Sequence, residues 1–191
     1  MVIPLLPISR DLFHVDKAVL ILPFGLFLGD KVDGYAIYLI ERYATNEVYI
    51  GETSDIIRRS REHHNSVRSN GQLDTKSEFS SPVINSDLVW HIWPLKVNDK
   101  YYNLTVEHLV GIRYQTRNIG KVGKRTTEFY GYIFTTSDGK EIHTFCKELF
   151  YTMYNLPSNP SKRLLKQRGI VEWLATEEDV REAYASVFEQ S

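Results

Sequence analysis

The sequence predicts an α+β fold in which a small central antiparallel β-sheet is flanked by helices. Residues 35–41 and 47–51 are rich in β-branched and aromatic side chains and are separated by a short polar loop, which is typical of a β-hairpin. Residues 55–65 and 103–115 have helical character and lie beside residues that cap helices. The 191 residues, 42% of them hydrophobic, are sufficient to form a packed core.

The first half of the chain is predicted to hold the sheet and its first helix. An apolar stretch over 18–28, interrupted by a proline and a glycine, indicates one or two buried strands. The hairpin follows, and the helix over 55–65 is expected to begin at a cap within residues 53–55. The polar, serine-rich residues 66–82 are expected to form a mobile surface loop.

The second half is predicted to begin with a strand over 87–97 and a helix over 103–115 that Asn103 caps. The sequence Ser-Asp-Gly at 137–139 is a strong turn signal between two short strands, at 128–135 and 140–144. Helices are predicted at 145–153, 161–166 and 176–188. The expected organisation is an N-terminal extension of the sheet, a core, and a C-terminal part with a hairpin and helices, over residues 1–33, 34–120 and 121–191.

Composition excludes several classes of protein and site. The longest apolar run is far shorter than the roughly 20 residues of a membrane-spanning helix, and no secretory signal precedes it. We therefore expect a cytoplasmic protein that does not bind a membrane. Cys146 is the only cysteine, which excludes an intramolecular disulfide and a zinc site built from thiolates. The sequence has no glycine-rich phosphate loop, so no nucleotide cofactor is expected.

The net charge is only −1, but the basic residues are grouped. A protein that is neutral overall can still present a basic face to phosphates, although each group can also be an ordinary solvated surface. The residues that we predict to contact nucleic acid are Arg58, Arg61, Lys162, Arg163 and Lys166. A further group comprises Arg113, Arg117, Lys121, Lys124 and Arg125.

Two tyrosines and a basic helix form the leading candidate site. If the hairpin loop has an even number of residues, Tyr38 and Tyr49 share one face of the sheet, and a four-residue loop at 42–45 would place them directly opposite each other. Arg59 and His63 are four residues apart and therefore lie on one side of the following helix. The alternative is that the tyrosines only pack, since tyrosine is a favoured strand residue.

This pattern resembles the GIY-YIG nuclease family. The matching elements are A-I-Y at 36–38, Y-I-G at 49–51 and D-I-I-R-R-S-R-E-H at 55–63, which keep the family's register together. The sequence departs from the family at Ala36, where the signature has glycine. The resemblance implies a nuclease fold and covers residues 34–118, less than half of the chain.

The family also implies a metal-binding glutamate followed by an asparagine, and Glu107 and Asn118 fill these places. Glu107 belongs to a predicted helical stripe that is otherwise apolar or small, and a buried carboxylate must be paired or bound to a cation. The alternatives are an ion pair of Glu107 with Arg113 or His91, and a helix-capping role for Asn118.

The resemblance implies a metal-dependent endonuclease that hydrolyses phosphodiester bonds of double-stranded DNA, of a restriction, phage or mobile-element type. Glu107 would hold one Mg²⁺ or Mn²⁺, Arg59 would pair with the scissile phosphate, and Tyr49 would position water or phosphate. We expect Tyr38 to act as general base and His63 to draw off its proton. The alternatives are a noncatalytic module with this fold, which binds DNA or protein, and a structure-specific or RNA-directed nuclease. The sequence leaves the oligomeric state open and allows a dimer.

Overall fold

The computed structural model of the protein describes residues 1–13, 20–120 and 129–189. The predicted strands at 18–28 and 128–135 each begin outside these ranges. The described residues form strands and α-helices that confirm the α+β class. In chain order they are β1 (Val2–Pro4), β2 (Leu20–Pro23), β3 (Ala36–Arg42), β4 (Glu47–Thr53), α1 (Ile56–Asn70), β5 (Leu88–Pro94), α2 (Lys100–Tyr114), β6 (Tyr132–Thr135), β7 (Glu141–Thr144), α3 (Lys147–Met153), α4 (Lys162–Gln167), β8 (Val171–Leu174), α5 (Glu177–Ala183) and α6 (Ala185–Phe188).

The chain divides into two compact units that are interleaved in sequence. The central unit comprises Asp11–Asn98 and Arg113–Thr127, and the terminal unit comprises Met1–Arg10, Asp99–Ile112 and Glu128–Ser191. Each unit contains a four-stranded sheet, where the sequence predicts a single central sheet. Residues 1–33 contribute a strand to each sheet, since β2 joins the central sheet and β1 joins the terminal one.

The central sheet has the order β2-β5-β3-β4, with every neighbouring pair antiparallel. The β3–β4 hairpin is closed by the pair Arg42 and Glu47, so its loop is residues 43–46. Asn46 ends the loop with a left-handed backbone, φ 61°. Ala36 to Ile40 are all buried, since β3 has a strand on each side and apolar side chains on both faces.

Helix α1 packs on one face of the central sheet. Its buried side chains form one stripe along the helix, and they are those of Ile56, Ser60, His63 and Val67. Asp55 is the N-cap and accepts a hydrogen bond from the Arg58 backbone at 2.9 Å. The helix ends five residues later than predicted, because Val67 continues the apolar stripe and Gly71 then ends the helix in a left-handed conformation.

Residues 66–82 were predicted to form a polar surface loop, but two side chains of this segment and that of the adjacent Val83 are in the core. Leu73, Phe79 and Val83 are each at most 3% exposed. The side chain of Gln72 also donates to the Phe79 carbonyl and accepts from the Phe79 amide. Apolar residues spaced this widely among serines have no strand or helix period, which is why the sequence does not indicate their burial.

The helix that carries Glu107 begins earlier than predicted. The Asp99 carboxylate accepts from the Tyr102 amide at 3.0 Å, and the Asp99 carbonyl accepts from Asn103. Asp99 is therefore the residue that caps α2, and the prediction that Asn103 is the cap is wrong. None of the helices in the described ranges has the length and hydropathy that crossing a bilayer requires.

The terminal sheet has the order β1-β7-β6-β8 and is built on the predicted second hairpin. Gly139 takes φ 81° in the turn between β6 and β7. Helix α3 packs on this sheet through Phe150, whose ring stacks on Phe134 at 3.8 Å. The last predicted helix is divided by Tyr184 into α5 and α6. Strands β1 and β8 were not predicted, since both are very short.

We expect Gly71→Ala to destabilise the central unit by about 2–3 kcal/mol, and Gly34→Ala by only about 1 kcal/mol. Both glycines have positive φ, but a Cβ at Gly71 would lie 2.9 Å from Pro82 Cβ, whereas a Cβ at Gly34 has nothing within 4 Å. Urea unfolding followed by Trp90 and Trp93 fluorescence, in a Trp173→Phe background, measures both. Equal losses would show that Pro82 adds nothing to the penalty.

Candidate active site

The hydroxyl oxygen of Tyr38 is the centre of a buried polar cluster in the central unit. Tyr38 lies in the middle of β3 and is 1% exposed. Its oxygen lies 3.0 Å from His63 Nε2 and accepts a hydrogen bond from Arg59 Nε at 3.2 Å. Helix α1 supplies both partners because residues four apart lie on one side of a helix, here the side that packs on the sheet.

Tyr49 lies on the same face of the sheet, as the even loop length predicts, but it is not opposite Tyr38. Tyr38 pairs with Gly51, and Tyr49 pairs with Ile40. The two phenol rings are therefore diagonal neighbours, with centroids 6.2 Å apart. The predicted loop at 42–45 was wrong by one position. Arg42 remains in the strand opposite Glu47, so the loop ends at Asn46.

Gly51 provides the space that the Tyr38 ring occupies. A Cβ at Gly51 would lie 2.4 Å from both the Oη and the Cζ atom of Tyr38, which is well inside the contact distance of real Cβ atoms. The ring thus lies directly over the glycine on the neighbouring strand. The order of tyrosine, isoleucine and glycine in β4 has a steric reason, since Tyr49 flanks the Tyr38 ring and Gly51 makes room for it.

The hydrogen bonds of His63 determine which of its ring nitrogens carries the proton. The Asp74 backbone N–H donates to His63 Nδ1 at 3.1 Å, so Nδ1 is an acceptor and has no hydrogen. In the neutral ring Nε2 then carries the hydrogen and donates it to the Tyr38 oxygen. The sequence-based scheme, in which His63 draws a proton from Tyr38, requires the other tautomer.

The electrostatics of the cluster keep His63 neutral. Burial, the Arg59 guanidinium and His64 together lower the pKa of His63 to about 3, and burial has the largest effect. Burial likewise raises the pKa of the Tyr38 phenol, with a contribution from Tyr49, while Arg59 lowers it. Because His63 and Arg59 both donate to the Tyr38 oxygen, the hydrogen of Tyr38 must point away from both of them, and Tyr49 is the neighbouring phenol on the same face of the sheet.

Every nitrogen of the Arg59 guanidinium has a partner within the central unit. Besides Nε on Tyr38, Nη1 donates to Glu62 at 2.8 Å and to Asp74 Oδ2 at 2.7 Å, and Nη2 donates to the Asp74 carbonyl. Glu62 also pairs with Arg58. Two carboxylates therefore balance the charges of two arginines. The helix spacing indicates the contact with Glu62, but no signal in the sequence indicates Asp74.

Asn118 lies near Tyr49, and its side chain bonds to two backbone amides. Its Oδ1 accepts from the Ile50 amide at 3.4 Å and from the Gly120 amide at 3.2 Å. Asn118 also forms a parallel bridge with Val48 at the edge of β4. It does not cap α2, which ends at Tyr114. The Asn118 side chain thus connects the segment after α2 by a hydrogen bond to β4, the strand that carries Tyr49.

Glu107 lies in the part of α2 that belongs to the terminal unit, so its participation in the site stays a prediction. Its helical stripe with Leu104, Gly111 and Tyr114 is half-buried, where the sequence led us to expect a buried face. The described residues contain no group of three or more histidine, cysteine or acidic side chains that could hold a metal. Mg²⁺ commonly binds through one or two carboxylates and several waters, so a half-buried glutamate is a suitable ligand.

The predicted nucleic-acid contacts differ in their availability. Among the described residues, Arg61, Lys162, Arg163 and Lys166 are exposed and form no ion pair, whereas Arg58 pairs with Glu62. The group around Arg113 is structural where it is described. Arg113 lies over the Phe13 ring, and Arg117 pairs with Glu41 at 2.7 Å. Lys121, Lys124 and Arg125 lie outside the described residues.

No protein-family model, curated protein or solved structure matches the chain. The assignment to a nuclease family therefore stays a prediction that depends on the spacing of the motif.

Acidification should destabilise the central unit partly through His63. Its pKa is about 3 when folded and about 6.5 when unfolded, so its neutral form stabilises the fold above pH 6.5, and this contribution is lost as the pH falls towards 3. We expect His63→Gln to reduce the loss of unfolding free energy between pH 7 and 4 by about 2–3 kcal/mol. Urea unfolding at pH 7 and pH 4 measures this loss of free energy. Equal losses in His63→Gln and the unmodified protein would contradict the low pKa of His63 in the folded state.

We expect Gly51→Ala to displace Tyr38 and to destabilise the central unit by about 1–3 kcal/mol. The NMR signal of the His63 Nε2–H proton reports the hydrogen bond to Tyr38 and should shift or vanish. Gly25→Ala is a matched control, because a Cβ there would have its nearest contact at 3.7 Å. An unchanged His63 signal in Gly51→Ala would refute the steric role of the glycine.

Proposed function

We propose that this protein is a metal-dependent endonuclease that hydrolyses phosphodiester bonds of double-stranded DNA. The observation that carries the proposal is the pair of N–H donors on the Tyr38 oxygen. A buried phenol needs one partner, and a neutral imidazole together with a guanidinium is a costly arrangement for packing alone. It is well suited to stabilise a phenolate, since both donors strengthen their hydrogen bonds when the oxygen becomes negative.

The tautomer of His63 supports a particular direction of proton transfer. With Nε2–H already donating, His63 cannot accept the proton of Tyr38 and instead stabilises the phenolate. The Tyr38 proton leaves towards the hydroxyl of Tyr49. Tyr49 lines an open cleft with Thr75, Lys76, Ser77, Ile119 and Gly120, through which solvent can take the proton. The Tyr38 phenolate then accepts a proton from the water that attacks phosphorus, and the departing 3′ oxygen is protonated from solvent.

A metal ion would complete the chemistry. Glu107 would hold one Mg²⁺ or Mn²⁺, which when bound stabilises negative charge on the phosphate and the departing oxygen. Arg59 would neutralise a non-bridging oxygen of the phosphate with the planar edge of its guanidinium. Asn118 has no direct chemical role in this scheme, because its Oδ1 is occupied by the backbone beside Tyr49.

The exposed cations support a nucleic acid as the substrate. Arg61 on α1 and three basic residues of α4, Lys162, Arg163 and Lys166, are available for phosphates. Such contacts hold the duplex in position and carry no sequence information by themselves. We propose a cytoplasmic enzyme of a restriction, phage or mobile-element system.

One observation favours a noncatalytic module as the second candidate. The guanidinium of Arg59 has its donors occupied by Glu62 and Asp74, so the cluster around Tyr38 is neutral. A module that only binds DNA would not need Arg59 to release these carboxylates and contact a phosphate. The two candidates differ in whether the protein breaks DNA.

Supercoiled plasmid incubated with the protein tests the proposal. We expect nicked or linear product with Mg²⁺ and none with EDTA. Tyr38→Phe should lower the rate by about 10²–10⁴-fold, because the proton acceptor is removed. Glu107→Gln should abolish cleavage and retain DNA binding in a gel-shift assay.

Tyr43→Phe is the matched control for Tyr38→Phe, because Tyr43 is on the same hairpin but 67% exposed. Its activity should equal that of the unmodified protein. Full activity in Glu107→Gln would refute the metal assignment. The absence of metal-dependent cleavage of duplex DNA, branched DNA and RNA would favour the noncatalytic module.

A further inference from the structure

We propose that Asp74 is a positioning residue that holds Arg59 with its carboxylate until a substrate phosphate replaces that carboxylate. This inference rests on the proposed function for the identity of the phosphate. The contact itself is a property of the central unit. Asp74 Oδ2 lies 2.7 Å from Arg59 Nη1, the kind of nitrogen that pairs with phosphate oxygens. A carboxylate and a phosphate are alternative anionic acceptors for one guanidinium.

Of the two carboxylates on Arg59, that of Asp74 is the one that can leave. Glu62 has Arg58 as a second partner and lies on the same helix as Arg59. The Asp74 side chain is 54% exposed, and within the described ranges Arg59 is its one ion-pair partner. Its carboxylate can therefore rotate into solvent without losing another contact, whereas moving Glu62 would break two ion pairs.

The backbone of Asp74 has a separate function that does not depend on the carboxylate. Its N–H donates to His63 Nδ1, and its carbonyl accepts from Arg59 Nη2. The backbone that leads into Asp74 is held in place, because Leu73 is 3% exposed and Gln72 is bonded to Phe79. When the carboxylate leaves, the tautomer of His63 and the orientation of Arg59 are therefore preserved.

The exchange explains how an arginine whose three nitrogens each have a partner can still bind substrate. The exposed carboxylate keeps the guanidinium in place beside Tyr38, so that Arg59 does not fold out into water. An arriving phosphate gains the Nη1 donor and displaces one negative charge, and Asp74 returns to solvent. The net effect of Asp74 is to weaken phosphate binding while keeping Arg59 oriented.

Asp74→Asn tests the proposal, because it removes the charge and retains the backbone contacts. Inorganic phosphate is titrated into the protein while the NMR signal of Arg59 Nε–H is followed. We expect the variant to bind phosphate about threefold to fivefold more tightly, the range of one weak ion pair. The signal of His63 Nε2–H should remain in place, as it depends on the backbone of residue 74.

Glu78→Gln is the matched control. Glu78 is an exposed carboxylate in the same loop, and among the described residues it has no ion-pair partner. The control removes the same charge at a distance from Arg59, so its phosphate affinity should change by less than about 1.5-fold. Equal effects of Asp74→Asn and Glu78→Gln would overturn the proposal, and so would weaker phosphate binding by Asp74→Asn.

A labelled duplex DNA in EDTA extends the test to a double-mutant cycle. The gain from Asp74→Asn should disappear in an Arg59→Ala background, because the two side chains act on each other. If the gain persists, Asp74 acts only through net charge and the proposal is wrong. In the cleavage assay Asp74→Asn should lower KM and leave kcat nearly unchanged. Because the phosphate titration needs no cleavage, its outcome separates a failure of this inference from a failure of the proposed nuclease activity.

Discussion

The central unit depends on how it accommodates one hydroxyl group, that of Tyr38, inside its core. The oxygen lies between a sheet and a helix, and burying it without partners would cost several kcal/mol. Its partners are supplied by helix α1, at a spacing that one turn of helix provides. Burial of this hydroxyl also constrains neighbouring segments. The Tyr38 ring needs a glycine on the next strand, and His63 needs a hydrogen-bond donor from the backbone of residue 74. One buried phenol thus constrains a hairpin, a helix and a loop.

The same cluster shows how burial and hydrogen bonding divide the chemical roles. Burial keeps the imidazole of His63 neutral and makes the phenol of Tyr38 reluctant to ionise. The two donors on the phenol oxygen lower the pKa of Tyr38, because they stabilise the anion more than the neutral form. Arg59 contributes its charge only to the extent that Glu62 and Asp74 do not neutralise it. The ion pairs of the guanidinium therefore affect the pKa of the phenol, although burial has the largest effect on it.

Much of the fold was predictable because its signals are local. The hairpin, the cap at Asp55 and the turn at Gly139 each depend on a few consecutive residues with a specific backbone preference. The prediction placed helix α1 correctly but ended it too early. The last turn of the helix consists of polar residues around a single buried valine. Strands β1 and β8 were missed because a three- or four-residue strand has no measurable period and is stabilised by its neighbours in the sheet.

The sequence by itself determined which residues can share a surface: the parity of the hairpin places Tyr38 and Tyr49 on one face, and the helical repeat places Arg59 beside His63. These are periodic properties of the backbone, and they hold in any strand or helix. Only the tertiary structure decided the register between Tyr38 and Gly51, the tautomer of His63 and the pairing of Arg59 with Asp74. Each of these depends on a hydrogen bond or a close contact between segments that are distant in sequence, and such contacts are determined by packing of the whole core.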